Sequence, residues 1–97
     1  MFAALVVCDE VTDGLRASEA TVAIRSRGGR KEYLPTERDL LYEQAGKYFL
    51  EIGVVHKDPK TGACLIEFPH EADSGANRIW IDADSLIILK EGQKVSI

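Results

Sequence analysis

Little in this chain advertises chemistry. Cysteine and histidine occur twice each, tryptophan and methionine once, and proline three times in 97 residues. Cys8 and Cys64 stand apart in the apolar runs LVVC and ACLI, where a free thiol behaves as a small buried hydrophobe. No Cys-x-x-Cys ladder and no helical histidine pair is present, so no recognised metal-ligand set can be written and no metal or cofactor is expected. No apolar run approaches the ~20 residues that cross a bilayer. The opening run FAALVVC lacks a basic flank and meets Asp9-Glu10 at once, which argues against an export signal and leads to the expectation of a cytoplasmic protein with reduced thiols. The net charge of −4 disfavours nucleic acid and anionic membrane as partners, since both need a positive field. Internal repeats, heptads and low-complexity tracts are absent.

What remains is a 45% hydrophobic, 29% charged chain, the composition of an ordinary globular domain, and a single domain over residues 1–97 is expected. Its apolar residues come in short runs separated by turn signals. Residues 2–8 read as a buried strand and residues 9–19 as a polar loop. ATVAIRS, RGGR and KEYLP form a hairpin signal, in which a two-glycine type I′ turn would set Arg25 opposite Glu32 and Ile24 opposite Tyr33. Pro35 confines the second of these strands to an edge or ends it. Residues 36–46 admit either a short helix or a strand; the favoured reading is a helical turn at 36–39 leading into a hairpin with Glu43 opposite Lys47 and Tyr42 opposite Tyr48. A long strand follows over 47–56, with Tyr48, Leu50, Ile52 and Val54 on one face and a bend expected at Gly53. Asp58-Pro59-Lys60-Thr61-Gly62 is a turn with a mechanism, because Asp accepts locally, Pro presets φ and Gly takes the left-handed position. Strands at 63–68, 78–82, 86–89 and 95–97 complete the set, with a 3₁₀ piece at 83–85.

Many short strands with regular turn signals mean a small antiparallel sandwich or barrel. The order of strand, bend, turn, strand, loop, short strand, 3₁₀ turn and closing strand is that of Src-homology-3-like (SH3-like) barrels. The expected fold is therefore all-β: an SH3-like barrel with an added N-terminal strand and at most a short helical turn. The run EIGVVHKDPKTGACLIEFPHEADSGANRIWIDADSLI is similar in layout to the core of the plasmid-type (type II) dihydrofolate reductases, small barrels that assemble as tetramers. That family reads its ligands with a Val-Gln-Ile-Tyr strand. Arg78, Ile79, Trp80 and Ile81 stand at the matching positions, without the amide and the phenol, so the resemblance does not imply reductase activity. The phrase EADSGANRIWI also resembles small bacterial proteins carried on integron cassettes, which implies a bacterial source and no particular function.

Functional side chains are densest between residues 69 and 78, where His70, Glu71, Asp73 and Arg78 precede Trp80. Loops on rigid scaffolds host sites, and these five residues are the candidate ligand or partner surface. Against this stands the plainer alternative of a solvated turn in which Asp73 and Ser74 bond to local backbone. Asp73-Ser74-Gly75-Ala76 resembles the signature of retroviral-type aspartic proteases, whose paired aspartates share a proton. Those enzymes precede the Asp with an apolar strand, whereas His70-Glu71-Ala72 precedes it here. Arg25, Arg27, Arg30 and Lys31 crowd one hairpin tip that could touch phosphates. Trp80 alternates with Ile79 and Ile81, so it points outward if they fill the barrel, and an exposed tryptophan framed by Arg and acid suits an interface.

No nucleophile–base pair is legible, and no catalytic residue is assigned. The expectation is a non-enzymatic interaction or ligand-binding module that self-associates. Phe49, Val55, Ala63 and Leu65 oppose the inward residues of their strands, and one small barrel cannot cover both faces, whereas a subunit interface can. Protein or small-molecule partners are the alternative, as is an enzyme or binder with its site at a subunit interface around residues 70–80.

Overall fold

Alternating and continuous apolar runs form strands here because β-branched and aromatic residues pack well on a pleated surface. The computed structural model describes residues 2–88, and the expected strand at 95–97 lies outside them. Within that range the fold is all-β and antiparallel. Nine strands run in order: β1 (Phe2–Val7), β2 (Glu10–Asp13), β3 (Glu19–Arg25), β4 (Lys31–Glu37), β5 (Leu41–Gln44), β6 (Lys47–Lys57), β7 (Cys64–Glu67), β8 (Arg78–Ile81) and β9 (Leu86–Ile88). Helix among the described residues is limited to two 3₁₀ turns, Arg38–Leu40 and Ala83–Ser85.

One sheet has the order β8-β7-β6-β1-β9, with β5 also on β6; the other is the meander β2-β3-β4. Two features join them. The chain passes from β1 to β2 through one corner, where the Cys8 N–H donates to the Tyr48 carbonyl and the next N–H, of Asp9, donates to Ala23 in the other sheet. At the far side, the Arg27 N–H beyond β3 reaches the Trp80 carbonyl on β8 at 2.8 Å. The sheets thus close on one core of Ala4, Val6, Val22, Ile24, Leu34, Leu50, Ile52, Val54, Cys64, Ile66, Ile79 and Ile81.

Several expectations need correcting. Residues 10–13 are a strand paired with β3, so the polar segment 9–19 is not all loop; polar side chains suffice because β2 is an edge with a solvated face. The N-terminal strand forms as expected, and it lies between β6 and β9. Both predicted hairpins form, each one residue out of the expected register. In the first, Arg25 pairs with Lys31 and Ile24 with Glu32. Its loop is five residues long, closed by Ser26 N–H to the Arg30 carbonyl, and only Gly29 of the glycine pair has positive φ. In the second, Tyr42 pairs with Phe49 and Gln44 with Lys47, because Ala45 and Gly46 both take positive φ and make a two-residue turn. The bulge in β6 falls between Val54 and His56 rather than at Gly53. Pro35 does lie on an edge strand, and the 58–62 turn forms as read, with Lys60 N–H donating to Asp58 Oδ1 and Gly62 at φ 78°.

A candidate interaction surface around Trp80

Ile79 and Ile81 are buried in the core, so alternation turns Arg78 and Trp80 to the outer face of β8. Trp80 is 41% exposed. Across the ladder to β7, Trp80 stands opposite Leu65 and Arg78 opposite Glu67. One strand further, the bulge in β6 puts His56 opposite Leu65, and its ring meets Trp80 edge-on at a centroid distance of 6.1 Å. Both sides of the indole are framed by ion pairs. Arg78 lies 3.0 Å from Glu67, and Arg27 lies 3.6 Å from Asp82. The first pair was within reach of sequence reasoning once the β7–β8 register is known. The second was not, because Arg27 arrives from a distant hairpin tip through its backbone bond to the Trp80 carbonyl.

The other candidate residues are dispersed. His70 lines a recess of about 270 Å³ with Pro35, Thr36, Leu40 and Pro69, away from the indole's neighbours. Glu71 and Asp73 are exposed. The loop between β7 and β8 is instead fixed by its small residues. Ala72 is buried, the Asp73 N–H donates to the Tyr33 carbonyl, and the Ala76 N–H donates to Ser74 Oγ in the local turn expected of that serine. Ser74 also donates its hydroxyl to Glu32 Oε1 at 2.6 Å. Glu32 is 5% exposed, and its second oxygen lies 3.3 Å from Arg30. The Ser74–Glu32 hydrogen bond anchors the β7–β8 loop to β4.

No protein family, curated protein or solved structure matches this chain. Its surface must speak for itself.

The basic hairpin tip is neutralised where it stands. Arg25 and Lys31 both contact Asp9, Lys31 also contacts Glu10, Arg30 contacts Glu32 and Arg27 contacts Asp82. Hydrogen bonds from Lys31 and then Arg25 hold the Asp9 carboxyl below the usual carboxylate range. Cations so occupied make a weak phosphate-binding surface. Among the described residues, no three of His, Cys, Asp or Glu converge as a metal site, and no helix is long and apolar enough to cross a membrane. Burial pushes the Cys8 thiol up to about 12.

Proposed function

We propose that this chain is a homomeric interaction module whose contact surface is the outer face of β6-β7-β8, with Trp80 as its anchor. The observation that carries this is the half-exposed indole between the Arg78–Glu67 and Arg27–Asp82 pairs. Tryptophan and arginine dominate interface energetics when a dry centre is ringed by polar contacts. A patch holding two cations and two carboxylates is complementary to itself, so a two-fold axis near Trp80 sets the cations of one copy against the carboxylates of the next. The likeness in layout to reductases that assemble as tetramers supports the same reading.

The support is narrower than strand composition suggested. Phe49 and Ala63 are buried within the chain, while Val55 and Leu65 are half-buried. Only the last two remain to extend the Trp80 patch. The reading places the chain in a bacterial cytoplasm, where Cys8 and Cys64 stay reduced. Light scattering tests it: a dimeric or larger mass is expected at about 50 µM, and Trp80→Ala should bring it to the monomer with the circular dichroism spectrum unchanged. A variant mass equal to that of the unmodified chain refutes the Trp80 contact.

A further inference from the structure

A second surface lies around Pro69, at the end of β7. Three recesses share this residue. One of about 430 Å³ opens between Phe2, Phe68, Glu51 and Glu67. The next, of about 260 Å³, lies between Tyr42, Leu40 and Glu51. A third, of about 270 Å³, runs on between Leu40, Pro35, Glu37 and His70. Glu51 is common to the first two and Leu40 to the last two, so the recesses form one groove with Pro69 at its middle.

The groove has an apolar floor and an acidic rim. Phe2 and Leu40 are each about half exposed, which leaves large apolar side chains open to solvent along it. Four carboxylates line it, those of Glu19, Glu37, Glu51 and Glu67, and among the described residues no lysine or arginine does. Arg16 serves both Glu19 and Glu37 from outside, and Arg78 serves Glu67. Among the described residues Glu51 has no ionic partner, so two guanidinium groups answer four carboxylates.

We infer that this groove binds an extended peptide segment whose groove-facing side chains, at every second residue, are apolar and basic in turn. A row of recesses suits an extended chain, whose side chains return to one face at every second residue. The apolar floor takes the apolar members of that inward-facing set, and the negative rim selects lysine or arginine for the inward-facing positions between them. Glu51 at the junction of two recesses is the charge that fixes the register. The site shares β6 and β7 with the Trp80 face through Glu51 and Glu67, and it does not depend on self-association.

Fluorescence anisotropy with a short fluorescein-labelled peptide in which leucine and lysine alternate at every second position, with serine between them, tests this. Saturable binding is expected, with no binding of the glutamate–leucine counterpart. Reversing the charge with Glu51→Lys should weaken binding at least about tenfold. Leu40→Ser should weaken it about fivefold through the lost apolar contact. Both positions are exposed, so the fold should survive, and Trp80→Ala should leave peptide affinity unchanged. Absence of binding, equal binding of the acidic peptide, or indifference to Glu51→Lys overturns the proposal. So does a fall in the mass of the unliganded protein caused by Leu40→Ser, which would make the groove a contact between copies.

Discussion

At the scale of single residues, Glu32 is the most consequential side chain that the sequence kept hidden. It was legible as an exposed partner for Arg25, because a two-glycine turn sets that register. The five-residue loop turns it inward beside Leu34 and Thr36 instead. A buried carboxylate needs donors, and Ser74 and Arg30 supply them. Ser74→Ala should therefore lower stability by about 1–3 kcal/mol in urea unfolding, the cost of leaving a buried acceptor short of a partner. Glu32→Gln made in the same variant should recover part of that loss, since the uncharged amide is easier to bury.

Cys8 gives a second residue-level expectation. Burial raises its pKa from 9.0 to about 12. At pH 8 the thiolate fraction is then on the order of one in ten thousand, and alkylation by iodoacetamide should be slow until the protein unfolds. The folded state holds the protonated thiol, so this contribution to stability is full below pH 9.0 and is lost as pH rises toward about 12. Cys8→Ala should flatten the alkaline fall in urea midpoint. An identical fall in both proteins would show that Cys8 does not titrate this way.

Among the elements, the strands were largely legible and their pairing was not. Alternation located β6, β7 and β8, and the 58–62 turn was readable because Asp, Pro and Gly each have a distinct local role. Register slipped where the turn residue was unexpected. Ala45 has φ 52°, a left-handed conformation that alanine rarely adopts, and nothing in its chemistry announces it. The neighbouring Gly46, at φ 81°, completes the turn without strain. Ala45→Asn should raise stability by about 1 kcal/mol, since Asn-Gly is the preferred type I′ pair. Gly46→Ala should lower it by a similar amount, as thermal unfolding would record. The candidate site was legible in part for the same reason. Arg78 and Trp80 share a face because the period of a strand is two, whereas His70, Glu71 and Asp73 sit in a loop whose path depends on bonds to β4.

For the whole molecule, charged contacts add a pH-dependent contribution to that of the core. Asp9 at the β1–β2 corner is held below the usual carboxylate range by Lys31 and Arg25, Glu19 by a hydrogen bond from Arg16, and Asp58 by the Lys60 backbone N–H. Each folded value is depressed, so each contribution is present above the unfolded pKa and lost as pH falls through the folded one. The urea midpoint should therefore drop below about pH 4, and Asp9→Asn should make that drop shallower. Unchanged acid sensitivity would place the cause in other carboxylates.

The central claim concerns the outer face of β8, and the chain carries its own probe there. Trp80 is its single tryptophan, so indole emission reports on that surface alone. Diluting the protein from about 100 µM to about 1 µM should shift the emission to longer wavelength as copies separate and water reaches the ring. Emission that stays constant across that range, with a monomeric mass throughout, would contradict self-association through Trp80.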